Sequence, residues 1–164
     1  MFGKLKNLFG GASGIEIAAP VAGKVVALEN VPDPTFAQGI LGPGIAVEPS
    51  EGRIVAPADG TVDVMFETGH AVSLTTADGA EVLIHVGIDT VQLEGRHYKA
   101  HCAAGDSVKK GDLLIEFDPE AIKAEGYQVI TPVIVCNPDA FAAVKPAAES
   151  SITAGDALLT LQNK

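Results

Sequence analysis

The sequence predicts an all-β fold, an antiparallel β-sandwich or distorted barrel of many short strands carrying one or two short helices. Three observations predict it. Glycine and proline are abundant, 18 and 10 of 164 residues, which favours turns over long helices. Short β-branched runs recur between turn signals, the cadence of a many-stranded sheet. Two phrases also repeat: Ala19-Pro20-Val21-Ala22-Gly23-Lys24-Val25 echoes in Ala56-Pro57-Ala58-Asp59-Gly60-Thr61-Val62, and Val108-Lys109-Lys110-Gly111-Asp112 echoes loosely in Ile152-Thr153-Ala154-Gly155-Asp156. A turn feeding a strand, used twice, predicts a duplicated architecture. The length suits one domain.

Residues 1–14 read as a flexible tether. Phe2, Leu5, Leu8 and Phe9 fall at helical spacing beside Lys4 and Lys6, and Gly10-Gly11-Ala12-Ser13-Gly14 cuts the segment off. Such a patch suits weak peripheral contact with an anionic membrane surface through residues 1–10. The domain proper is assigned to residues 15–164. Its strand runs are Val25–Leu28, Gly44–Val47, Thr61–Phe66, Ala71–Leu74, Val82–Val86, Leu113–Phe117, Pro132–Val135 and Leu158–Leu161. Asp78-Gly79 is read as the turn of a hairpin joining the fourth and fifth of these. Pro119–Glu125, stopped by Gly126, predicts a helix, and Asp139–Val144, ending near Pro146, predicts a second.

The charge balance, 21 acidic against 11 basic side chains, argues against nucleic acid, whose binding proteins gather Lys and Arg against phosphates. It favours partners with basic recognition faces. Two cysteines make no disulfide framework, no apolar run is long enough to span a bilayer, and no signal-peptide core is evident. The expected location is cytoplasmic, with contact at the inner face of the membrane through the tether. A monomer is expected.

Four histidines carry the candidate chemistry. His97 and His101 have the i, i+4 spacing of helical metal ligands, but the stretch between them has no acidic base, so they are assigned to the surface. In Val82-Leu83-Ile84-His85-Val86, alternation puts Val82, Ile84 and Val86 on one face and Leu83, His85 and Gly87 on the other. His85 is then a core imidazole or a reactive group on an apolar docking surface. The Asp78-Gly79 turn would bring His70 level with His85 or one pair away. Two neutral imidazoles suit Zn²⁺ binding with a carboxylate, or handling of a phosphoryl group, with Thr68 as an added hydroxyl.

The stretch Gly79-Ala80-Glu81-Val82-Leu83-Ile84-His85-Val86-Gly87-Ile88-Asp89-Thr90-Val91 resembles the phosphorylation-site signature of the glucose-type enzyme IIA components of the bacterial sugar phosphotransferase system. The resemblance runs from Ile15 to the C-terminus, through Ala19-Pro20, Val31-Pro32-Asp33, Gly42-Pro43-Gly44, Ala56-Pro57, Phe66-Glu67-Thr68-Gly69-His70, Thr131-Pro132-Val133, and Asn137 with Asp139. It implies an antiparallel β fold. It implies that His85 is the phosphoryl acceptor, a tele-phosphohistidine charged by the phosphocarrier HPr and discharged to the cysteine of an enzyme IIB domain or IICB sugar permease. His70 would orient the phosphate and Thr68 would support it, with no cofactor required. Asp33, Asp89 and Asp139 match acidic residues of the partner-binding surface, and Phe36, Ile45, Val47, Phe66 and Leu83 match its apolar part. Zn²⁺ bridging His70, His85 and a partner carboxylate is also implied, as is regulatory binding of transporters or metabolic enzymes. Gly69 stands in place of a common Asn, Gln92 in place of a common acid, and Leu83 and Val72 where aromatic residues are usual.

Two rival readings are a biotinyl or lipoyl carrier, which needs an exposed hairpin-tip Lys, and a zinc hydrolase of related β architecture. The chain has no Met-Lys-Met and no His-x-His.

Overall fold

The structure, a computed structural model, describes residues 14–164. The expected membrane patch at residues 1–10 lies outside the described residues. The first strand, β1 (Gly14–Ala18), begins one residue inside the expected tether. The remaining strands are β2 (Gly23–Ala27), β3 (Gly44–Pro49), β4 (Arg53–Val55), β5 (Gly60–Met65), β6 (Ala71–Thr76), β7 (Glu81–His85), β8 (Tyr98–Ala100), β9 (Ser107–Val108), β10 (Leu113–Phe117), β11 (Thr131–Val135), β12 (Phe141–Pro146), β13 (Ser151–Ile152) and β14 (Ala157–Asn163). One large sheet has the order β13-β2-β3-β11-β7-β6-β5-β9, and two three-stranded sheets have the orders β1-β14-β12 and β4-β10-β8. Their pairings are antiparallel. This is the all-β fold expected.

The large sheet is apolar on both faces at its centre. Val82, Ile84, Val133 and Val135 enter the main core with Ile45, Val47 and Val72. On the other face Ala46, Ile134 and partly buried Leu83 join Val31, Phe36, Ile88 and Ile130 in a second cluster. This second layer is why β7 and β11 read as apolar runs rather than alternating ones. His85 projects on the Leu83 side and therefore belongs to the second layer, not to the main core.

The β6–β7 hairpin sets the distance between the two candidate imidazoles. A two-residue Asp78-Gly79 loop would put Val72 opposite His85. Instead the loop takes three residues: Gly79 N donates to Thr76 O at 2.9 Å and Gly79 has φ +89°. That is a turn closed by a left-handed glycine. Ala71 therefore faces His85, and Thr75 faces Glu81, which places His70 one residue beyond His85's direct partner.

The helix at Pro119–Ala124, α2, forms as expected: Asp118 caps it by accepting from Ala121 N, and Gly126 (φ +93°) stops it. The second expected helix is not there. Pro138–Ala140 is a single 3₁₀ turn, and Phe141–Pro146 is strand β12, paired to β14 with Val144 against Leu161. An Ala-rich run with little helix length is overridden here by the open edge of β14. A helical turn that sequence reasoning passed over, α1 (Pro34–Ala37), starts at Asp33, whose Oδ1 accepts from Thr35 N at 2.9 Å, with Pro34 at the first helical position. The Asp-Pro pair is itself a helix-start signal.

The duplication is written into the hydrogen bonds. Ala18 N donates to Pro57 O and Val55 N to Pro20 O, so the two Ala-Pro phrases bond each other reciprocally. Each phrase also holds one Gly-Asp turn: Ala19 N bonds Asp156 O and Gly155 N bonds Ala19 O, while Ala56 N bonds Asp112 O and Gly111 N bonds Ala56 O. In each turn the aspartate accepts from the backbone three residues earlier, Asp112 from Lys109 N and Asp156 from Thr153 N. A third copy is Asp106 accepting from Ala103 N beside Gly105 at φ +95°.

Candidate functional site

His85 ends β7, and the chain then turns away through Gly87 at φ +92°. A side chain at Gly87 would strike Thr90 Cγ2 at 2.5 Å and Gln128 O at 2.8 Å, so the turn admits only glycine. Its carbonyl lies 2.8 Å from His85 Nδ1. A carbonyl oxygen only accepts, so Nδ1 carries the proton and Nε2 holds the lone pair. The turn thus fixes the tautomer of His85 and makes Nε2 its nucleophilic atom.

His70 lies just before β6, following Gly69 at φ +71°. The left-handed conformation there favours glycine, and a Cβ at this position would crowd Tyr98 Cβ at 3.2 Å. His70 Nδ1 is hydrogen-bonded to Thr68 Oγ1, and among the described residues its Nε2 has no hydrogen-bond partner. The two imidazoles meet edge to face, centroids 4.9 Å apart and planes 81° from each other. Phe36 stacks at a tilt 5.1 Å from His85, and Phe66 stands 5.4 Å from His70. Two neutral rings, each tied by Nδ1 and framed by a phenyl ring, form the centre of the site.

Burial keeps both rings neutral. His70, 3% exposed, is lowered to about 4, first by desolvation and then by the neighbouring His85. His85 is lowered by desolvation, against which the Gly87 carbonyl and the charges of Asp33 and Asp89 pull upward. Because the folded state resists protonation of His70 while the unfolded chain takes it up near 6.5, this group favours unfolding as pH falls from about 6.5 to about 4. Above that window it has no effect. Urea melts of the wild type and of His70→Gln should diverge across the window, with the variant losing less stability, at most about 1.4 kcal/mol less per pH unit; parallel curves would contradict it.

Most of the site residues expected from the sequence come together: His85, His70, Thr68, Phe36 and Phe66 touch, Leu83 packs in the second apolar layer, and Asp33 and Asp89 lie close enough to act on His85 electrostatically. Two do not. Ile45 and Val47, expected on the docking surface, are 2% and 0% exposed in the main core. They share the inner face of β3, and it is Ala46 between them that faces the second layer. Asp139 is exposed in the 3₁₀ turn after β11. Because Val133 pairs with Ile84 and Val135 with Val82, the chain beyond Val135 runs past Glu81, away from His85 along the strand. Ile40, 67% exposed after α1, and Val91, 52% exposed in the turn after Asp89, are exposed apolar side chains that no periodicity in the sequence reveals.

His97 and His101 stay apart from this centre and pair with Glu125 and Glu116. Among the described residues no group of three or more His, Cys, Asp and Glu is placed to hold a metal ion. Likewise no helix among them is long and apolar enough to cross a membrane.

Comparison with known proteins gives this geometry a family. The model of the phosphoenolpyruvate-dependent sugar phosphotransferase system EIIA 1 family matches residues 15–141. The chain is 50% identical over 143 residues to a beta-glucoside-specific EIIBCA component of Dickeya chrysanthemi, covering 87% of this chain and 23% of that protein. It is 44% identical over 142 residues to a glucose-specific EIIA component of Oceanobacillus iheyensis, covering 87% and 86% of the two chains. It thus spans about a quarter of the fused relatives and most of the single-domain ones. Its fold matches that of the glucose permease IIA from Mycoplasma capricolum with a TM-score of 0.81 at 26% identity, covering 90% and 95% of the two chains. The chain belongs to the EIIA 1 family of the phosphoenolpyruvate-dependent sugar phosphotransferase system.

Proposed function

We propose that this protein is a phosphocarrier in which His85 Nε2 accepts a phosphoryl group from the phosphohistidine of HPr and passes it to the cysteine of an enzyme IIB domain. The observation that carries this reading is the His85 Nδ1–H bond to the Gly87 carbonyl, which leaves Nε2 as a lone pair beside the His70 ring. In the first transfer Nε2 forms a bond to phosphorus in line with the breaking P–N bond of the donor, whose imidazole keeps the electron pair. In the second, a thiolate attacks phosphorus and His85 recovers its lone pair. A proton on His70 Nε2 would donate to a phosphate oxygen in both steps. The phenyl rings of Phe36 and Phe66 support an apolar contact that keeps water from a hydrolysable P–N bond.

Asp33 and Asp89 beside His85, in a chain carrying a net charge of −10, favour carrier proteins with basic recognition faces. The two ring Nε2 atoms fit two of the four ligands of Zn²⁺ and leave the rest to a partner's carboxylate or water. Nothing in the phosphoryl step requires the metal. The two unpaired cysteines suit a reduced, cytoplasmic setting, and the amphipathic pattern of residues 1–10 supports a weak contact with an anionic membrane surface.

The test is to incubate the protein with labelled phosphoenolpyruvate, enzyme I and HPr. Label should appear in an acid-labile, base-stable linkage and leave on addition of a cognate IIB domain. No label on this protein, under conditions in which HPr is labelled, would overturn the reading. A panel of IIB domains for different sugars then identifies the acceptor, because the sugar is read by the membrane component.

A further inference from the structure

Val86, between His85 and Gly87, is held through its backbone N–H and carbonyl by three hydrogen bonds, and the phosphocarrier reading alone does not require this. Val86 O accepts from the Thr90 hydroxyl at 2.7 Å and from the Tyr98 hydroxyl at 2.8 Å. Val86 N donates to His70 O at 2.7 Å. Thr90 is fully buried and Tyr98 half-buried, so neither hydroxyl is a casual surface contact. A carbonyl has two lone pairs, and here both are used.

We propose that Thr90 and Tyr98 are positioning residues for phosphoryl transfer, pinning the Val86 carbonyl so that the next carbonyl, Gly87 O, points back at His85 Nδ1 and keeps Nε2 unprotonated. The proposal rests on the reading of His85 as the acceptor. The reasoning is geometric. Gly87 sits at φ +92°, a conformation with alternatives close in energy for glycine. Rotation about the Gly87 backbone bonds would swing Gly87 O off the imidazole and free the ring to adopt its other tautomer, with the proton on Nε2 and no nucleophile facing the donor. Two hydroxyls on the preceding carbonyl fix the plane from which that rotation would start, and they add to the backbone bonds from Gly87 N to Ile130 O and from Ile88 N to Gln128 O. Tyr98 reaches both members of the pair, since its ring also lies 6.5 Å from His70 and its Cβ would lie 3.2 Å from a side chain at Gly69. Burial raises the Tyr98 phenol to about 12, so it stays a donor at every working pH.

The test reads the tautomer directly. Imidazole nitrogen NMR of the wild type should show His85 in the single Nδ1–H form. Thr90→Val and Tyr98→Phe each keep the shape and remove one hydroxyl; each should shift up to about two-thirds of the His85 ring to the other form and slow acceptance from phospho-HPr by about threefold in step with that shift. The double variant should slow it at least about tenfold, as expected for losing two ordinary hydrogen bonds, with little change in the apparent affinity for HPr. Thr90→Ser, which keeps the hydroxyl, should restore the wild-type tautomer and rate. If the double variant does not fold, the single variants decide. An unchanged His85 tautomer in folded variants, or failure of Thr90→Ser to restore it, overturns the proposal. The NMR readout needs no phosphate, so a wild type that takes no label would sink the acceptor reading without touching this result.

Discussion

His85→Ala should take no label from phospho-HPr, a loss of at least about 10³-fold, because the variant has no atom to form the bond to phosphorus. The imidazole of His70 is no substitute. In the proposed role its Nε2 carries the proton that donates to phosphate and so has no free lone pair, and the ring is almost wholly buried. The variant should also remain folded. His85 lies in the second apolar layer, outside the cluster that unites the main core, and its side chain bonds only the Gly87 carbonyl two residues on. Circular dichroism and a urea melt establish the fold, and the label measures the chemistry. Label retained in folded His85→Ala would mean that another residue is the acceptor.

His70→Gln should separate the two transfers. Acceptance depends on the His85 lone pair, which the Gly87 carbonyl fixes without help from His70, so the variant should still become labelled. Delivery depends on holding a phosphoryl group in line while its bond to His85 breaks, and on a donor aimed at its oxygens as charge redistributes. Removing one such donor typically costs about 10²–10³ in rate. Single-turnover transfer from the purified phospho-form to a cognate IIB domain should fall by that amount, while acceptance changes far less. Equal losses in both directions would assign His70 to the structure of the site as a whole, and normal delivery would remove it from the mechanism.

Much of this was legible before any coordinates. Leu113–Phe117 and the alternation of β7 are local patterns, and both were read correctly because a strand's two faces are encoded two residues apart. The nearness of His70 to His85 was also readable, though its register was off by one because whether Gly79 closes a two- or a three-residue loop depends on its backbone angles and not on composition. What failed were questions of context. Ile45 and Val47 share a face in any strand, but which face points outward is decided by what packs on the sheet, here α1 and Ile88 over Ala46. The run after Asp139 became a strand because β14 offered an edge, information stored some twenty residues away in the sequence. The Gly87 carbonyl, the most informative partner in the site, is backbone and has no side-chain signal at all.

The reciprocal bonding of the two Ala-Pro phrases has a consequence for how the molecule comes apart. Each phrase fastens a turn near its own end and also donates to its counterpart, so neither copy keeps a full set of backbone partners when the other is lost. The first and last strands, β1 and β14, are paired as well, with Ile15 against Leu161. Unzipping at either terminus therefore exposes bonds in the opposite half, and intermediates with one repeat intact and the other melted are disfavoured. The His85 imidazole is carried on an all-or-none unit, which ties any chemistry at that ring to the cohesion of the whole domain.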